Sequence, residues 1–145
     1  MDFIVVGGIG AVLQGAPIST FDLDVVHARS PENVERLLTA LDSLEAHYRM
    51  QPQRRLRPNA SHVSSAGHQL LMTRYGPLDL LGVIGRSHDY DGLLHDTVEV
   101  AAGDGVRIRV LKLEKLIAVK METATEKDLA ALPILRRTLE ERNRG

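Results

Sequence analysis

The chain has no cysteine, and only three Tyr and two Phe supply aromatic rings among its 145 residues. Without thiols it has no disulfide, zinc ribbon, iron–sulfur site or cysteine nucleophile, which fits a reducing compartment. No apolar run approaches the roughly 20 residues that a membrane span needs, and Met1-Asp2-Phe3 lacks the basic start of a secretory signal. A cytoplasmic protein with no membrane partner is expected. Charge of one sign is missing too: 18 Lys and Arg face 19 Asp and Glu, a net charge of −1. No overall field draws the chain onto nucleic acid. Repeats and low-complexity linkers are also absent, and a chain of this length hides roughly 68–70% of its unfolded surface, enough for a core without staples.

The charges that are present come in blocks. Residues 1–48 carry seven acids and two bases, 49–75 five bases and no acid, 76–105 six acids and one base, and 106–145 ten bases and six acids. Such blocks are most often solvated faces, but they also suit a site where carboxylates hold cations and bases hold phosphates.

Phe3-Ile4-Val5-Val6 predicts a buried strand that runs into a turn at Gly7-Gly8. A short helix through Ile9, Val12 and Leu13 follows, stopped by Gly15-Ala16-Pro17. A strand is expected from Thr20 to His27. Ser30-Pro31 is a helix start, and Val34, Leu37, Leu38, Leu41 and Leu44 continue it at helical spacing. From Arg49 to His68 the pattern dissolves into polar loop, with a strand near Tyr48. Gln69–Thr73 with Leu78–Leu81, and Thr97–Ala101 with Val106–Val110, predict two hairpins. Helices over 112–123 and 126–141 close the chain. Strands partly in hairpins with helices between and after them give α/β (α+β) with a mixed sheet.

A strand ending in Gly-Gly before a helix lets backbone approach a phosphate closely. The dinucleotide fingerprint fails here, because its third glycine position, counted from Gly8 and Gly10, is Leu13. Along the strand Asp22-Leu23-Asp24-Val25, side chains alternate, so Asp22 and Asp24 share one face with Cα atoms roughly 6.5–7 Å apart. Two carboxylates so placed need compensating positive charge. Asp79 repeats the theme inside the apolar run Leu78–Leu81, where a lone buried acid is costly. If its strand lies beside the first, three oxygen donors converge, a set that suits magnesium or manganese rather than zinc.

Gly7-Gly8, the run Gly15 to Asp24 with its Asp-x-Asp, and the later Asp79 resemble the pattern of the DNA polymerase β nucleotidyltransferase superfamily, especially its small bacterial, toxin-like members. Leu113–Lys120 and Glu126-Lys127-Asp128 resemble their C-terminal helical signature. The resemblance implies one nucleotidyltransferase-like domain over 1–145, with a catalytic core at about 1–85 and a hairpin and helices at about 96–145. It also implies transfer of NMP from an NTP to a hydroxyl on tRNA, a protein or a small molecule. A toxin-like role with an antitoxin-like partner, or a non-catalytic nucleotide-binding module of the same fold, fits the same pattern, and a homodimer through the tail is compatible with it. By the same resemblance Asp22, Asp24 and Asp79 are catalytic and two Mg²⁺ or Mn²⁺ ions are expected, Asp22 and Asp24 holding both while Asp79 binds the one beside the acceptor and helps to deprotonate its hydroxyl. Gly7, Gly8 and Ser19 or Thr20 take the phosphates, with Lys120 as a further phosphate ligand. The chain departs from the pattern at Ile9 and Ile18, where relatives often carry a hydroxyl and a base, and by starting almost inside the first strand.

Other polar groups are read more plainly. Lys120 either snorkels past the core or reaches the site. Thr125 and Asp128 predict a capping box. Arg49, Arg54, Arg55 and Arg57 have no interleaved aromatics to stack bases, and so suggest a solvated loop rather than an RNA surface. The set His88, Asp89, Asp91, His95 and Asp96 lacks the long helices of a His-Asp metal site. His27, His47, His62 and His68 are expected at surface or loop positions.

Overall fold

A computed structural model describes residues 1–20 and 22–144. Its elements are β1 (Phe3–Val6), α1 (Gly7–Leu13), β2 (Leu23–His27), α2 (Pro31–Ser43), β3 (His47–Tyr48), α3 (Ala60–Ser64), β4 (His68–Thr73), β5 (Gly76–Leu81), α4 (Tyr90–Leu93), β6 (Thr97–Ala101), β7 (Arg107–Leu111), α5 (Leu113–Thr123) and α6 (Glu126–Arg144). Seven strands form one mixed sheet in the order β3-β4-β5-β2-β1-β7-β6, which puts β2 at its centre. The Thr20 and Phe21 end of the expected strand differs: β2 begins at Leu23, and Phe21 lies outside the described residues.

Strand alternation sorts the apolar residues into two cores. Ile4, Val6 and Val26 pack with α1, α5 and α6 on one face, while Val5, Val25 and Leu80 pack with α2 and α3 on the other. The mixed α/β class and both hairpins are therefore as expected. The β4–β5 hairpin pairs His68–Thr73 with Gly76–Leu81, and β6 pairs β7 from Thr97↔Leu111 to Ala101↔Arg107. Ser30 caps α2 by accepting from the Asn33 amide at 3.3 Å, with Pro31 in the first helical turn. On the first core face, α1 is tied down by Gln14, whose amide nitrogen donates to the Leu111 carbonyl at 2.7 Å while Arg142 of α6 reaches its oxygen at 3.2 Å.

Two further regions differ from the sequence reading. The polar stretch after Arg49 is not all loop: Pro52–Arg54 forms a 3-10 turn and α3 follows it. Asn59 starts α3 by accepting from the His62 amide at 3.0 Å, His62 answers through its ring, and Val63 seals the second core at 0% exposure. His27 is no surface residue. It follows Leu23 and Val25 on the apolar face of β2, is buried, and places Nε2 2.7 Å from the Val63 carbonyl. Burial lowers its pKa below the ordinary histidine value.

Among the described residues, no helix is long and apolar enough to cross a membrane.

Candidate active site

Parallel pairing of β2 with β5 aligns Leu23 with Leu78 and Asp24 with Asp79. Residues paired across neighbouring strands share a face, so the Asp24 and Asp79 carboxylates meet side by side. On the other flank of Asp24 lies Val6, the last residue of β1. The next residue, Gly7, turns the chain into α1 with φ +65°, and an added Cβ there would lie 2.3 Å from Asp24 Oδ2. Only glycine admits both that backbone and that approach. A Cβ on Gly8 would likewise stand 2.8 Å from Thr20 Oγ1, so the second glycine makes room for the hydroxyl beside it. No side chain caps the first turn of α1, the turn whose N–H groups a helix leaves unsatisfied.

These groups line a cleft of about 340 Å³. Gly7, Gly8, Ser19, Thr20, Asp22 and Asp24 form one side, and Lys120 and Lys127 stand among the α5 and α6 residues of the other. Lys120 thus reaches the cleft rather than snorkelling away, and its Nζ lies 3.6 Å from Asp128 Oδ1. The Thr125–Asp128 capping box is present: each amide donates to the other's side chain at 3.2 Å. Asp79 is nearly buried and lies behind this lining, next to Asp24 in the sheet.

The carboxylates are electrostatically strained. Burial, then the charge and hydrogen bonding of Asp79, then the charge of Asp22 push the Asp24 carboxyl up to about 7, with Lys127 opposing. Its Oδ1 is buried and has no hydrogen-bond partner among the described residues.

Arg49 departs from the solvated-loop placement expected for it. The loop containing Arg54, Arg55 and Arg57 is exposed as expected, but Arg49 folds back over the sheet. Its backbone N–H donates to the Leu70 carbonyl at 3.2 Å, and Leu70 is paired with Asp79. Arg49, Leu70, Asp79 and Asp24 therefore form one row across four strands or their ends. The guanidinium Nη1 donates to Asp79 Oδ1 at 2.6 Å and Nη2 lies 4.0 Å from Asp22 Oδ2. A stretch of five bases and no acid beside a chain of three aspartates was the available signal; the register that selects Arg49 is not local.

The histidine and acid set at 88–96 does not gather into a site. His88 pairs with Glu122 of α5 at 2.7 Å, Asp89 caps α4 through the Gly92 amide, and His95 lies against Asp96.

No family model and no curated protein matches the chain. Among solved structures, it is similar to a protein of Thermotoga maritima provisionally assigned as a nucleotidyltransferase. The two share 17% identity with a TM-score of 0.57, over 97% of this chain and 83% of that one. The seven-stranded mixed sheet with its closing helix is a nucleotidyltransferase-like fold.

Proposed function

We propose that the protein transfers a nucleoside monophosphate from an NTP to a hydroxyl acceptor, using a divalent cation, magnesium or manganese. The observation that carries this reading is that Asp22 and Asp24 line one cleft, Asp24 directly against the Gly7 bend, with Lys120 and Lys127 in the same lining. The donor chemistry fits such an ion: hard carboxylate oxygens, one of them buried without a partner, beside a backbone turn that only glycine permits. Asp22 and Asp24 would hold it. When bound, the cation offsets triphosphate charge and makes the acceptor hydroxyl more acidic.

The remaining work falls to groups of this chain. The open first turn of α1 at Gly7 and Gly8 receives phosphate oxygens through backbone N–H groups. Thr20, held against Gly8, and Ser19 add hydroxyl donors, and Lys120 and Lys127 balance the charge of the departing end. The acceptor oxygen forms a bond to the α-phosphorus as the bond to the bridging β-phosphate oxygen breaks, and pyrophosphate leaves. The hydroxyl proton passes to water in the cleft, and Asp79, behind the lining and beside Asp24, assists its loss through negative charge on the acceptor side. A toxin-like protein held in check by an antitoxin-like partner is a biological setting for this activity.

Incubation with each α-labelled NTP, magnesium and total cell extract tests the reading and identifies the acceptor class as tRNA, protein or small molecule. One species is expected to acquire label, and Asp22→Asn is expected to lose it. If all four nucleotides bind but none leaves label on any species, the fold serves nucleotide binding without turnover.

A further inference from the structure

The three aspartates carry one more negative charge than a single divalent ion balances, and the chain already supplies a cation for the surplus. Arg49 Nη1 donates to Asp79 Oδ1 at 2.6 Å, a short charge-assisted bond between side chains only 23% and 12% exposed. The same nitrogen donates to the Leu71 carbonyl at 2.9 Å, and the Arg49 backbone N–H is fixed on Leu70. An exposed ion pair between long side chains is exchangeable and weak. This one is anchored at three points and partly withdrawn from water. A metal taking Asp79 Oδ1 would have to displace the guanidinium from a part-buried pair, and one approaching Oδ2 would meet the Arg49 charge a few atoms away, so a second cation there is disfavoured.

We propose that Arg49 stands where a second metal ion would otherwise sit, so that the chain takes one divalent cation at Asp22 and Asp24 and keeps the guanidinium as the fixed counter-charge of Asp79. The inference rests on the divalent-ion reading given above and deepens it by setting the metal count. Three carboxylates are then matched by one guanidinium and one divalent ion. Arg49 is a positioning residue: it fixes Asp79 Oδ1, and its Nη2 lies 4.0 Å from Asp22 Oδ2. Lysine is a poor substitute, since a compact ammonium lacks the planar fork that contacts a carboxylate and a carbonyl together.

Titration of the whole chain with Mn²⁺ alone, counting bound ions from the loss of the free-ion electron paramagnetic resonance signal, tests this without any turnover. The wild-type chain is expected to bind one ion. Arg49→Gln, which frees Asp79, is expected to bind two, and Asp79→Asn, which keeps the side-chain shape, to remain at one. Near-ultraviolet circular dichroism identifies a variant that has lost its fold; should Arg49→Gln do so, the wild-type and Asp79→Asn counts decide. Two ions on the wild-type chain, an unchanged count in folded Arg49→Gln, or loss of the ion in Asp79→Asn overturns the role of Arg49 while leaving a metal-dependent site in place. No bound ion in any of the chains overturns both this inference and the divalent-ion reading beneath it.

Discussion

Asp24→Asn is expected to cut nucleotidyl transfer by about 10²–10³-fold, the size seen when a preorganised charge-handling group is removed, and at the same time to make the protein more stable. The two effects have one cause. Asp24 sits beside Asp79 on the central strand, and its carboxyl is pushed from 3.8 up to about 7 by burial, by Asp79 and by Asp22. In the unfolded chain the same carboxyl loses its proton near the ordinary value. Between those two values the folded state holds a proton that the unfolded state has released, so stability falls as pH rises from about 4 to about 7 and is level above. Asparagine has no proton to lose. Without added metal, the variant should match the wild type near pH 4 and exceed it by about 1–2 kcal/mol at pH 8, after allowing for solvent screening of a part-exposed group. Urea midpoints across that pH range check this. A variant less stable than the wild type at pH 8 would contradict the electrostatic picture.

Gly7→Ala should remove activity with the opposite effect on stability. An alanine at φ +65° costs about 1–2 kcal/mol, and its Cβ would have to displace an Asp24 oxygen only 2.3 Å away. Relieving that overlap adds about 1–3 kcal/mol. The group that must yield is the carboxylate itself, so loss of stability and loss of transfer arrive together. Denaturant unfolding at pH 8 should show a lowered midpoint with an unchanged slope. A folded Gly7→Ala protein of undiminished stability would mean that the glycine bend is not pressed against Asp24. The pair of variants is informative because both lose activity while their stabilities move in opposite directions, a result that simple misfolding cannot produce.

Much of this was legible in the sequence because it depends on local periodicity. Strand alternation turns Asp24 to the cleft that Asp22, one residue before β2, also lines, and Ser30-Pro31 and Thr125-Asp128 mark their helix starts by capping chemistry alone. The same alternation also carried His27 to the apolar face, two residues after Val25, although nothing in its spacing called for a buried imidazole. Asp79 was legible as an acid misplaced in an apolar run, but its partner was not, since the β2–β5 register joins residues 55 positions apart. Arg49 was hidden for a stronger reason. The strand it follows, β3, is two residues long, and the row that leads from Arg49 through Leu70 to Asp79 exists only once three strands have paired. Short helices such as α3 were missed because Asn59 closes its capping box with His62, not with the usual glutamate or glutamine.

The most direct measurement is a crystal structure grown with Mn²⁺ and a non-hydrolysable NTP analogue, using anomalous scattering to locate the metal. The account predicts manganese bonded to Asp22 and Asp24, with the triphosphate lying over Gly7 and Gly8. Manganese bound elsewhere, or a nucleotide seated away from the glycine bend with both carboxylates free, would contradict it.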